Sequence, residues 1–206
     1  NMISGTYDVS IAKWGYQTYC VSGVLVNAGN AAFSYALEAG YADDFSMDLG
    51  WAITGDAISG KWERGNPAGT IDGDGNESNP GYDAANTDCD DQAYTTGNSG
   101  GNYWDDDIDN GITVITSPTM DLSGYSEPYI QFYTWFNNSG GNGTPDDSLL
   151  ISISSGNQLI RLATIDKNQP MSQWVYHNIR LKDHVNPASD MKIIVEAGDY
   201  NNGHIT

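Results

Sequence analysis

Apolar and polar residues alternate in short runs from the start of the chain. In GTYDVSIAKWGYQTYCVSGVLVNAGNAAFSYALEAG, residues 5–40, three such runs are broken at residues 13–15 and 27–30. A period of two with turn residues at the breaks predicts three strands joined by tight turns. Three strands do not bury a core of their own, so the stretch predicts the tail of a small sandwich, with a boundary near residues 40–43. From DDFSMDLGWAITGDAISGKWERG onward, strand-like runs are separated by loops rich in Gly, Asn and Asp. The longest loop, residues 70–101, has almost no apolar side chains. Loops beyond about 15 residues in a compact domain are functional, disordered or organised by a ligand. Clearer strands are predicted at residues 112–116, 129–136, 148–154, 159–164, 174–181 and 191–197. Their spacing, with no helical period, predicts an all-β fold: an antiparallel two-sheet sandwich of the jelly-roll kind.

Composition supports that class and narrows the partners. Gly, Asn, Ser, Thr, Tyr and Trp dominate while Lys, Glu and Leu are scarce, which favours turns and strands over helices. With 8 basic and 27 acidic residues the formal charge is −19. Such a chain repels nucleic acid and anionic membrane surfaces. No apolar stretch approaches the length of a membrane span, and no charged-then-apolar leader opens the chain. The abrupt start at Asn1 and the stop inside a strand-like run at GDYNNGHIT suggest a piece of a longer protein, any signal peptide lying upstream. The two cysteines, Cys20 and Cys89, are too few for a disulfide framework and lack metal-site spacing. A bond between them and two separate thiols both remain open.

The densest candidate chemistry is acidic. In DDDIDNG, an extended backbone puts Asp105, Asp107 and Asp109 on one face. Like charges so placed call for a cation, and Ca²⁺ accepts 6–8 hard oxygen ligands in irregular loops; a solvated acidic loop is the alternative. DGDGNESNPGYD spaces Asp72, Asp74, Asn76 and Asp83 like the ligands of an EF-hand loop. However, Glu77 stands where that loop needs Gly, Asp83 replaces the bidentate Glu, and no flanking helices are predicted. His177, His184 and His204 form no His-Glu-x-x-His pair, and no nucleophile elbow or phosphate-binding loop is present. Glu63, in KWERG, is the candidate if a carboxylate pair served glycoside hydrolysis. Aromatic platforms can bind sugar rings, but in a sandwich most aromatics fill the core. That reading assigns Trp51, Trp135 and Trp174 to the core, and leaves Tyr103 and Trp104, in the acidic loop, as candidates for exposure.

Several segments carry a resemblance to a known family. DDFSMDLGWAITGDAISGKWERGNPAGT, AYTTGNSGG, DDDIDNGITVITSPTMDLSGYSEPYIQFYTWFNN, PDDSLLISISSGN and VEAGDYNNGHIT resemble, in order, the jelly-roll accessory domain of secreted multidomain bacterial proteins. This domain looks distantly related to MAM-type sandwiches, and many of its parent proteins carry a zinc-carboxypeptidase or other peptidase domain. The segment before it looks like the end of a carboxypeptidase regulatory-like, prealbumin-type sandwich. The resemblance implies one unit at residues 1–41 and a jelly roll at 42–206. Relatives commonly continue past GHIT with an acidic closing strand. They hold calcium near the first strand and the Asp-x-Asp loop, which implies Asp44, Asp107 and Asp109 here, with Glu63, Asp147 and Asp199 as further ligands.

The expectation is therefore a non-catalytic, calcium-stabilised module of a larger secreted protein, extracellular or at the cell surface. Its partners would be other domains of the same polypeptide and an extracellular protein or polysaccharide, with no nucleic acid and no membrane insertion. The alternative is a structural or adhesin subunit of a surface layer or filament. A weaker third reading is a hydrolase or lyase on the same scaffold, since one sandwich hosts many functions.

Overall fold

Alternation of apolar and polar side chains becomes two layers of strands in the computed structural model, which describes residues 3–30, 32–73, 75–85, 88–139 and 145–200. The larger layer is a five-stranded antiparallel sheet. In spatial order it contains β3 (Ala52–Gly55), β6 (Gly111–Thr116), β11 (Lys192–Asp199), β8 (Ser148–Ser155) and β9 (Gln158–Ile165). Facing it are two antiparallel pairs, β4 (Trp62–Gly65) with β5 (Ala93–Thr96), and β7 (Tyr129–Thr134) with β10 (Val175–Arg180). A single 3-10 turn, Leu181–Asp183, follows β10. The expected all-β, antiparallel, sandwich-like character is what the chain adopts.

The core lies between the layers. Leu149, Ile151 and Ile153, every second residue of β8, are at most 5% exposed, and burying each side chain of this size stabilises by about 1.5–3 kcal/mol. One cluster joins Ile108, Phe136, Leu149, Ile151, Ile165 and Ala197, with Trp62, Phe132 and Val195 against it. A second joins Met120, Leu122, Ile153, Leu162, Leu181 and Met191, with Ile130 and Ile179 against it. Phe132, Ile130 and Ile179 come from the β7–β10 pair, so both clusters bridge the two layers.

The six clearer strand predictions fall on β6 to β11. Two expectations differ from the structure. The first is β5, which lies inside the stretch expected to be one long loop. AYTT is too short for its alternation to stand out, but it pairs residue for residue with β4, Trp62 opposite Thr96 and Gly65 opposite Ala93. The second is the leading segment, where β1 (Gly5–Ile11) and β2 (Tyr19–Val26) form a hairpin but residues 32–40 form no strand. That stretch crosses the hairpin's outlet instead, through a bridge between Tyr16 and Ala39 and a bond from Gly40 N to Gly15 O of 3.0 Å.

The hairpin is docked rather than free. The Trp14 indole donates to Thr119 O at 2.8 Å, and its ring meets Tyr41 at 5.5 Å and Trp51 at 6.2 Å. Tyr41 in turn accepts from Asp121 N through its hydroxyl at 2.7 Å. A disulfide joins Cys20 in β2 to Cys89 in the long loop, with Cα atoms 5.5 Å apart, which decides the question the sequence left open.

Candidate functional site

Antiparallel pairing brings the start of β6, the finish of β11 and the start of β8 to one end of the larger sheet. Asp199 pairs with Gly111 of β6, and Gly198 with Ser148 of β8, so Asp199 and Asp147 stand side by side. Asp147 is 1% exposed; its Oδ1 accepts from Tyr200 N at 2.8 Å and its Oδ2 from Asn138 Nδ2 at 3.1 Å. Asp199 Oδ2 accepts from Asn110 N at 3.0 Å. Asp199 Oδ1 and Asn138 Oδ1 are buried and find no hydrogen-bond partner among the described residues. Leaving such acceptors unmet costs about 1–3 kcal/mol each, so this end is chemically incomplete. Among the described residues no three His, Cys, Asp or Glu side chains close into a ready set of metal ligands.

The acidic loop beside it is not extended as expected. Asp106, Asp107 and Ile108 are consecutively buried while Asp105 and Asp109 are exposed, and an alternating strand does not bury three residues running. The cause is a turn, in which Asp105 N donates to Asn102 O at 2.9 Å. Asp106 Oδ1 then accepts from Ser99 N and its Oδ2 from Gly100 N, both at 2.9 Å. Asp107 is pressed against Gly60, where φ is +62° and an added Cβ would run into the backbone carbonyl of Asp107. Asp109 turns outward and accepts from Ser59 Oγ at 2.6 Å.

Asp44 belongs to a different group. Its Oδ1 accepts from Ser46 N at 3.1 Å and Ser46 Oγ at 2.7 Å, and its charge acts on Asp83 and Asp88. This group gathers where β4 finishes, because Arg64 donates to Phe45 O at 2.7 Å. Asp107 lies where β4 begins, and strand rise separates the two ends by roughly 10 Å. Burial, then Asp83 and Asp44, pushes the Asp88 carboxyl up to about 6. Burial also raises Asp83, helped by Asp91 and Asp44. Glu63 stands exposed on β4 opposite Thr95. In the EF-hand-like stretch, Asp72 Oδ1 accepts from Asn76 N at 2.8 Å, so the loop closes on itself; Asp74 lies outside the described residues.

Between the two strand pairs of the smaller layer lies a cleft of about 710 Å³. Every residue of β5 and of β7 borders it, while Trp62 alone borders it from β4 and no residue of β10 does. The order across this layer is therefore β4, β5, cleft, β7, β10, and no ladder joins β5 to β7 among the described residues. Its floor is the apolar face of the larger sheet, including Ile115, Leu149, Ile151, Ile193 and Val195. The bordering strands run the same way. β5 starts beside Phe45 and Trp51, whose rings meet Tyr94 at 5.1 and 6.1 Å, and Trp51 meets Trp14, which packs in the cluster that holds Ile130 of β7. At the other end Asn79 Nδ2 reaches Thr96 O at 3.5 Å, and Trp135 donates to Ser78 O at 2.6 Å.

Of the histidines, His177 packs within the β7–β10 pair. His177 stacks on Phe132 at 4.8 Å and shares a 2.8 Å hydrogen bond with Thr134 Oγ1, burial lowering its pKa. His184 N donates to Leu181 O at 3.0 Å, and His204 lies outside the described residues. Trp104 is 52% exposed, as expected. Trp51, Trp135 and Trp174 depart from expectation. None joins a core cluster; Thr134 and Phe136 point inward, so alternation turns Trp135 out. Sequence reasoning also missed Asn138 at the acidic end and Asp88 beside Asp44. The double Asn after the apolar run YIQFYTWF, and the DCDD stretch, were the available signals.

These features define an all-β, sandwich-like protein with an incomplete acidic sheet end and an open cleft between unjoined strands. Compared with protein-family models, curated proteins and solved structures, the chain matches none of them.

Proposed function

We propose that the chain is a non-catalytic, calcium-stabilised binding module of a larger secreted protein, built as a jelly roll and associated with a peptidase. The observation that carries the binding role is the cleft. Two strand edges that run the same way cannot pair antiparallel with each other. A third strand antiparallel to both satisfies their outward N–H and C=O groups while its alternate side chains cover the apolar floor. In this reading an extended segment from the rest of the parent polypeptide fills the cleft and makes the smaller layer five-stranded. Calcium binds at the sheet end, held by Asn138, Asp147 and Asp199. The unmet oxygens of Asp199 and Asn138 support this, since Ca²⁺ takes carboxylate and amide oxygens together. The Cys20–Cys89 bond supports an oxidising, extracellular setting.

Hydrogen exchange tests the reading. Amides of residues 93–96 and 129–134 that face the cleft exchange fast in this chain alone and slowly in the parent protein. Equal exchange in the two overturns it. The same open edges favour a second reading, a surface-layer or adhesin subunit whose cleft takes a strand from a neighbouring copy. In that case protection rises with the concentration of this chain alone.

A further inference from the structure

We propose that the outer face of the β7–β10 pair binds a neutral polysaccharide. This face adjoins the cleft, which Tyr129, Gln131, Tyr133, Trp135 and Trp174 also border, but the binding surface is its outward side and not the strand edge that borders the cleft. The register sets Tyr133 opposite Tyr176, Gln131 opposite Asn178 and Tyr129 opposite Arg180. One step further along the same register, Trp135 meets Trp174. All eight side chains share the parity that points away from the core. The result is a ladder with two aromatic rungs, an amide rung, and a last rung of Tyr129 and Arg180.

The rungs are in contact, with ring centroids 5.8 Å apart for Trp135 and Trp174 and 5.1 Å for Tyr133 and Tyr176. The Gln131 amide donates to Asn178 Oδ1 at 3.4 Å. Tyr129, Tyr133 and Tyr176 remain 51%, 49% and 50% exposed. Burying three tyrosines inside the fold would have stabilised it, so their exposure on one flat face points to an external surface they cover.

The chemistry of the ladder selects the partner. A sugar ring presents C–H faces that stack on aromatic rings, and hydroxyls that exchange hydrogen bonds with amides and phenols. Six residue steps from Trp135 to Tyr129 span about 20 Å, which suits a chain of sugars rather than one. The one cation, Arg180, is already held by Glu127 at 2.7 Å and Asp183 at 2.6 Å. With a formal charge of −19 on the whole chain, a polyanionic glycan is repelled.

Affinity electrophoresis of the 206-residue chain through gels carrying hydroxyethylcellulose, galactomannan or pullulan tests the proposal, with alginate as the anionic comparison. At least one neutral polysaccharide retards the protein, and alginate does not. In a Tyr133→Ala, Tyr176→Ala double variant the affinity falls by about tenfold or more, while the melting point falls by only a few degrees and the fold persists, because both side chains are half exposed. Gln131→Ala with Asn178→Ala, a second variant at the amide rung, weakens retardation by a smaller factor. Tyr125→Ala, an exposed tyrosine off the ladder, leaves it as in the wild type. Migration unaffected by all three neutral polysaccharides overturns the proposal, as does retardation that survives the tyrosine double variant, or stronger retardation by alginate.

Discussion

The protein has two acidic regions that meet the same problem in opposite ways. At the end of the larger sheet, Asp107 and Asp147 are buried, and Asp147 is held by backbone and amide donors, with unmet acceptors of Asn138 and Asp199 beside it. At the end of β4, Asp44, Asp83 and Asp88 crowd together, and no ion pair reaches them among the described residues. The first region fixes its carboxylates with donors and leaves oxygens of Asn138 and Asp199 unmet. In the second, burial, with repulsion from Asp83 and Asp44 added to it, raises proton affinity and pushes the Asp88 carboxyl up to about 6. Carboxylates close in space thus keep unmet lone pairs only where donors fix their neighbours.

The strongest way to break this contrast is to release the second region. Cys89 sits beside Asp88, and its bond to Cys20 closes a separation of 69 residues. The chain-entropy relation gives such a loop about 4 kcal/mol. Reduction, or Cys20→Ala, is expected to lower the melting temperature by about 8–16 °C at 2–4 °C per kcal/mol, read by calorimetry with and without reductant. The carboxylate of Asp88 then regains water and titrates closer to its ordinary 3.8, which NMR titration would register.

Next in size is the loss of a donor-held carboxylate. Asp147→Ala removes the acceptors of Tyr200 N and Asn138 Nδ2, and hydrogen bonds to a charged group are worth about 1.5–3 kcal/mol. A loss of about 3 kcal/mol is expected in chemical denaturation in chelator, and a larger one in calcium, because the variant also lacks a proposed calcium ligand. Chelation of the wild type comes slightly lower. Calcium at about a hundred times its dissociation constant adds about 2.7 kcal/mol, so chelator lowers the melting point by about 5–10 °C, with Mg²⁺ a poor substitute. Superimposable melting curves in calcium and chelator would remove the distinction between the two regions.

The smallest effect is the pH dependence of the second region. Because the folded carboxyl of Asp88 titrates at about 6 and its ordinary value is 3.8, the folded chain binds more protons between those values. This contribution to stability is fully present below about pH 4, falls as the pH rises, and is gone above 6. Asp88→Asn is expected to flatten melting temperature against pH across that window. An unchanged slope would place the titration elsewhere.

How far these features could be read in advance depends on how local they are. Four strands of the larger sheet, β6, β8, β9 and β11, were legible because a run such as SLLISISS repeats its alternation several times, while the four-residue AITG of β3 was not singled out and AYTT was lost in a loop. The run from residue 32 to 40 alternates too, but it meets the hairpin only at the Tyr16–Ala39 bridge and crosses its outlet. The parity of YIQFYTWF was also legible: Ile130, Phe132, Thr134 and Phe136 form one set, and Tyr129, Gln131, Tyr133 and Trp135 the other. Size suggested core for Trp135, whereas position in the alternation decided for the surface. Asp147 and Asp199 were found through a family resemblance, because their adjacency depends on pairing between strands far apart in sequence. Asn138 and Asp88 escaped for the same reason.

The sulfur bridge from Cys20 to Cys89 also decides how the protein would answer a pull. Tension applied on either side of the bridged span crosses directly from β2 to the long loop, and β3 and β4, which lie within it, carry none. At about 3.4 Å per extended residue, the separation of 69 residues withholds roughly 230 Å of chain from extension. A stretched tether containing this module would therefore lengthen far less than its residue count implies. Reducing the bridge would release that length as slack.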